Sequence, residues 1–155
     1  MFKLGDLVIV QGRGFFSHII EDVTDSSYSH VAIIVNQEQV IEAMGLKRTG
    51  YQTINFYRGQ DVFTCPLLTE IQRQQIVNFL INQIGTHYDY LLLFWELIRY
   101  GFHVLFPYTE DKKYICSTLA ADAYKVAGVN LTPKIKYPSP ADIANSKLLT
   151  KIGSL

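Results

Sequence analysis

"KYICSTLAADAY", residues 113–124, is the stretch whose place in the chain decides the fold. A short apolar step, Tyr114-Ile115, runs into Cys116, and an alanine-rich, helix-forming stretch follows. A helix N-terminus gathers unpaired backbone N–H groups and a partial positive charge. Both favour thiolate over thiol, and such a position can bring a cysteine pKa from ~8.5 into roughly the 3.5–7.5 range. Packing is the competing reading, because free cysteine is among the most buried residue types. On a helix Cys116 shares a stripe with Leu119, Ala120, Ala123 and Ala127, the spacing of a core face. Within this stretch alone the packing reading stands ahead.

Before it in the chain come strand-like runs. "LVIV" (7–10) follows the turn residues Gly5-Asp6, and "HVAIIV" (30–35) and "QVIEA" (39–43) are rich in β-branched residues. Polar "NQE" separates the last two, which marks a hairpin. "DVFTC" (61–65) is a further strand stopped by Pro66, so Cys65 has no helix behind it and reads as structural.

Helices are grouped before and after the sheet. "GFFSHIIEDV" places Phe15, Phe16, Ile19, Ile20 and Val23 at helical spacing. "TEIQRQQIVNFLINQIG" (69–85) has a Thr69/Gln72 capping box, a stripe of Ile76, Val77, Leu80 and Ile84, and Gly85 as its stop. A second helix is expected over 90–104, the Cys116 helix ends at Gly128, and Ser139-Pro140 opens a short terminal helix. A small antiparallel sheet packed with helices, all in one domain over residues 1–155, defines an α+β class.

Bulk properties exclude several functions. Fourteen basic residues balance fourteen acidic ones, so there is no electrostatic footprint for nucleic acid. Two cysteines form no disulfide framework, and the four histidines lack metal-ligand spacing. "MFKLGDLVIV" is no signal peptide, and the lipophilic window 90–106 is interrupted by Glu96, Arg99 and His103 and too short to span a bilayer. A cytoplasmic location is the default expectation, and that window could line a greasy groove or make peripheral membrane contact. GxSxG, the phosphate loop and the dinucleotide fingerprint are all missing, and "GRGFF" is only a turn.

A cysteine nucleophile needs a base within reach and a third group to orient that base. His30 starts a strand, sharing a face with Ala32 and Ile34 while Val31, Ile33 and Val35 take the other. A half-exposed edge histidine is the alternative. Glu42, inside apolar "VIEAM", is the orienter candidate, and hairpin parity decides whether it reaches His30. A two-residue loop at Asn36-Gln37 separates them; a three-residue loop, Asn36-Gln37-Glu38, puts Glu42 opposite Ala32 and diagonal to His30. The longer loop is favoured. His18, His87 and His103 are weaker candidates, as are Asp89 and Asp122, the latter pointing away from the Cys116 face.

"GDLVIV", "SHVAIIV" and "VIEA" resemble the sheet motifs of the NlpC-type, papain-like cysteine peptidases. In ordinary members the cysteine helix precedes those strands, whereas here "ICSTLAADAY" follows them, a circularly permuted order. With "GTHYDY" before the cysteine and "YPSPADIANSKLL" after it, the chain is similar over residues 4–148 to the YiiX-like, permuted papain-like family. It resembles the lecithin retinol acyltransferase group more distantly. The resemblance implies a permuted papain-like fold with Cys116 as nucleophile, His30 as base and Glu42 in the third place. It implies a hydrolase or acyltransferase acting on an amide or ester bond of a cell-wall peptide or lipid-like substrate through a thioester. Such chemistry requires no metal or organic cofactor. The Cys116 N–H is one expected oxyanion donor, with Tyr28 and Tyr88 as guesses for the second. The rival is a non-catalytic binding module for a lipid or cell-wall peptide, which ten tyrosines and nine phenylalanines would suit.

Overall fold

The computed structural model describes residues 2–11, 28–43, 48–88 and 113–155. The helices expected over 14–23 and 90–104, with His18, Asp89, His103 and the greasy window, lie outside the described residues. Among those described, no helix is long and apolar enough to cross a membrane.

β1 (Leu7–Gln11), β2 (Tyr28–Ile34), β3 (Gln39–Glu42), β4 (Gly50–Thr53) and β5 (Asp61–Thr64) precede α1 (Glu70–Asn82). After the short β6 (His87–Tyr88) and β7 (Lys113–Tyr114) come α2 (Cys116–Val126), α3 (Pro140–Ala144) and β8 (Thr150–Ser154). Six strands make one sheet in the order β4-β3-β2-β1-β5-β8, every pairing antiparallel. The class is α+β, with a larger sheet than the sequence suggested. β4 and β8 were not anticipated, because "GYQT" and "TKIGS" carry no apolar alternation and are specified by backbone pairing to β3 and β5.

Alternation along the central strands sorts the core into two layers. Leu7, Ile9, Val31, Ile33 and Ile41 face α1 and α2, where Ile76, Val77, Leu80, Leu119, Ala120 and Ala123 meet them. Val8, Val10, Ala32, Ile34, Val40 and Val62 line the opposite face with Tyr57, which comes from a 3-10 turn over Ile54–Tyr57. Burying each such branched side chain stabilises by ~1.5–3 kcal/mol.

Two devices fix how the helices meet the sheet. Gly5 turns the chain into β1 at φ 79°, with Ile76 of α1 only 3.4 Å from where a Cβ would stand. Its carbonyl accepts a 2.6 Å hydrogen bond from the Tyr124 hydroxyl of α2. Beside it, Asp6 is fully buried and ion-paired at 2.9 Å to the equally buried Arg73 of α1. Asp6 was read only as part of the turn leading into the sheet. The expected capping box at Thr69/Gln72 closes the start of α1, but the helix ends at Asn82 and Ile84 lies exposed beyond it.

Candidate active site

His30 is placed by a local irregularity. Val10 pairs with His30 but Gln11 pairs with Tyr28, so Ser29 is an extra residue on β2. Bulges of this kind re-aim the side chains beside them. His30 is 1% exposed.

Glu42 reaches it through the hairpin. Ile33 pairs with Ile41 and Ile34 with Val40, and the Val35 amide donates to the Gln39 carbonyl. The loop is therefore the three-residue one, and Glu42 falls on the His30 face, with His30 Nε2 and Glu42 Oε2 2.5 Å apart. The same carboxylate oxygen accepts from the hydroxyl of Tyr57, a residue the sequence reading missed. Tyr57 also stacks on the His30 ring, with centroids 6.1 Å apart and planes 16° apart. Nothing in "NFYRGQ" signals this role.

Cys116 opens α2 as its first residue, behind an N-cap, Ile115, that has no side-chain acceptor. Thr118 Oγ1 reaches back to the Ile115 amide instead, and the first intrahelical bond runs from the Leu119 N–H to the Ile115 carbonyl. An apolar N-cap forgoes roughly 1 kcal/mol of helix stability, and here it leaves the first-turn amides to the sulfur. The Ser117 and Val31 amides and the His30 ring lie where each favours a negative charge on Cys116 Sγ.

The Val31 contact has a topological origin. Along β2, the Ile34 N–H points to the β1 side, donating to the Asp6 carbonyl, and that of Val35 points to the β3 side. Alternation turns the Val31 N–H to the β3 side as well. β3 stops at Glu42, the position across from Ala32, so the strand has ended where Val31 would find its partner. The start of α2 brings the thiol into that place.

Because Nε2 of His30 faces Glu42, Nδ1 is left for the thiol. Burial alone would lower the imidazole pKa, but the Cys116 charge and hydrogen bond, then those of Glu42, push it up to about 10. Burial likewise opposes the thiolate, yet the His30 charge and hydrogen bond, with the Val31 and Ser117 amides, bring Cys116 below the ordinary thiol value. The arrangement favours a thiolate–imidazolium pair. Burial, then the Glu42 carboxylate, hold the Tyr57 hydroxyl protonated well above its usual range.

The remaining candidates are elsewhere. Cys65 is fully buried in the helix-facing core, where its carbonyl accepts from Arg73. His87 is exposed on β6, bridged to Arg48, and Asp122 is exposed on α2. The Tyr28 hydroxyl donates to Asp61 at 3.4 Å.

Taken with the fold, this defines an α+β protein with a buried thiol–imidazole–carboxylate chain, its cysteine at a helix start and its other two members on adjacent strands. Among solved structures the fold is similar to that of the metalloprotein YiiX from Escherichia coli O157:H7 (DUF1105), with a TM-score of 0.74. The likeness covers 99% of this chain and 97% of that one at 17% sequence identity, which establishes a YiiX-like fold. No family model matches the sequence, and no curated protein matches it.

Proposed function

We propose that the protein is a cysteine hydrolase or acyltransferase of circularly permuted papain-like architecture, acting on an amide or ester bond. The observation that carries this is His30, held between the Cys116 thiol and the Glu42 carboxylate in a site where all three are at least nine-tenths buried. The Cys116 thiolate attacks the substrate carbonyl carbon, and the Cys116 N–H, outside the helical ladder, donates to the oxyanion. His30 then passes its proton to the leaving amine or alcohol, giving a thioester on Cys116. For hydrolysis His30 takes a proton from water, whose hydroxide attacks the thioester and restores the thiolate–imidazolium pair. For transfer, an acceptor hydroxyl or amine replaces the water. Glu42 fixes the imidazole orientation and stabilises its charged form.

The substrate class is a small cell-wall peptide, another amide or an acylated lipid. YiiX is described as a metalloprotein. Among the described residues of this chain no three His, Cys, Asp or Glu side chains gather as a metal site. Nε2 of His30 is engaged by Glu42. The donor set among the described residues does not fit a metal.

The test is the thiol itself. Iodoacetamide at pH 6 should label Cys116 stoichiometrically in the wild type, and His30→Ala should return labelling to the ordinary thiol range near ~8.5. Incubation with peptidoglycan peptides and acyl-lipids should then give an acyl adduct on Cys116 by mass spectrometry. An ordinary titration in the wild type, with no adduct from either class, would make the protein a binding module.

A further inference from the structure

We propose that Tyr57 is a positioning residue for this site, its hydroxyl holding the Glu42 carboxylate aimed at His30. The inference rests on the reading of Cys116 and His30 given above and adds a fourth member to it. Tyr57 is fully buried, at 0% exposure, although a tyrosine usually keeps its hydroxyl near water. It spends that hydroxyl on Glu42 Oε2, the oxygen that also meets His30 Nε2. Its ring lies nearly parallel to the imidazole, so one side chain constrains both partners of the hydrogen bond.

Glu42 needs this support because it is 3% exposed and water cannot solvate its charge. A buried carboxylate is held in place by the donors it is given. The titratable groups facing Tyr57 are Glu42 on β3, His30 on β2 and, through them, Cys116 on α2. Val8, Val10, Val40 and Val62 make up the apolar side of its surroundings. Without the hydroxyl, the Glu42 carboxyl group loses a donor and is free to turn. The imidazole then loses its aligned acceptor, and the thiol loses a well-placed partner. The chain of dependence runs from Tyr57 through Glu42 and His30 to the sulfur.

Tyr57→Phe removes the hydroxyl and keeps the stacked ring. The readout is the rate of Cys116 alkylation by iodoacetamide against pH in the full chain, with folding checked by cooperative thermal unfolding. The acid limb should move up by about one pH unit, so the rate on its acid side falls about tenfold, while the rate above the limb is kept. In a Glu42→Gln background the same substitution should leave the limb where Glu42→Gln put it, because the two residues act in series. An unmoved limb, or an equal shift in both backgrounds, overturns the proposal and leaves Tyr57 a packing residue. Should Tyr57→Phe fail to unfold cooperatively, 3-fluorotyrosine at position 57, a stronger donor, should move the limb the other way, and an unmoved limb again overturns it. A wild-type limb that ignores His30→Ala overturns the thiolate reading as well. That result is distinct from a His30-dependent limb that ignores Tyr57.

Discussion

Replacing Arg73 with methionine should be among the most costly single changes outside the site. The guanidinium is 2% exposed and donates to Asp6 Oδ1 at 2.9 Å, the Leu4 carbonyl at 2.8 Å, the Cys65 carbonyl at 3.1 Å and Thr64 Oγ1 at 3.3 Å. Methionine keeps the apolar stem and removes every one of these donors, stranding Asp6 with Thr64 Oγ1 and the Lys3 amide. Breaking a buried ion pair from one side costs ~3–5 kcal/mol. An adjoining cavity of about 470 Å³, lined by Lys3, Asp6, Thr64 and Arg73 among others, gives water a route to the stranded carboxylate. The expected cost is therefore at the lower end, about 3 kcal/mol. For a urea slope of about 2 kcal/mol/M, the unfolding midpoint falls by roughly 1.5 M. Adding Asp6→Asn removes the stranded charge, so the double variant should be at least as stable as Arg73→Met alone, despite Asp6→Asn being destabilising by itself. A midpoint within about 0.3 M of wild type for Arg73→Met, or simple additivity in the double variant, would refute the view that this pair anchors α1 to the start of β1.

Cys116→Ala should abolish turnover with cooperative unfolding intact, while Cys65→Ala, altered only in the helix-facing core, should stay active; an inactive, folded Cys65→Ala protein would mean the wrong thiol was assigned. Glu42→Gln should lower turnover and Glu42→Ala should lower it further, whereas His30→Ala should match Cys116→Ala because nucleophile and base act as a unit. With Cys116 below the ordinary thiol value and His30 at about 10, turnover should be bell-shaped in pH. Its acid limb follows protonation of the thiolate, and its basic limb follows loss of the His30 proton that the leaving group needs. Alkylation, which needs only the thiolate, should show the acid limb and no fall near pH 10, and a parallel fall in both assays would remove His30 from the general-acid role.

Much of the pairing between His30 and Glu42 was legible because it depends on counting. Side chains alternate along a strand, and an odd-length turn at Asn36-Gln37-Glu38 returns the chain in the register that sets Glu42 on the His30 face. Cys116 was legible as a helix start from the change from apolar step to alanine-rich helix, and it opens the helix while also being buried, at 6% exposure. Arg73 is different. It stands three residues before Ile76 and seven before Leu80, squarely on the buried stripe of α1, but its charge sends it to solvent in any reading by pattern. Asp6, 67 residues away, supplies the opposite charge that makes its burial tolerable. That partner was visible as an acid directly before an apolar run, and joining the two would have required the tertiary fold.

Tyr57 and the Val31 amide were beyond the reach of pattern for a deeper reason. A motif records residues that are present, whereas the thiol's place depends on where a strand stops. β3 covers β2 only as far as Glu42, and the uncovered amide of Val31 meets the uncapped first turn of α2. Two backbone deficits, one at a strand end and one at a helix start, are satisfied together by a single sulfur atom. Each would be costly alone, since buried amides without acceptors are rarely tolerated. A negatively charged sulfur suits both, in line with the direction in which these amides and His30 move the Cys116 thiol.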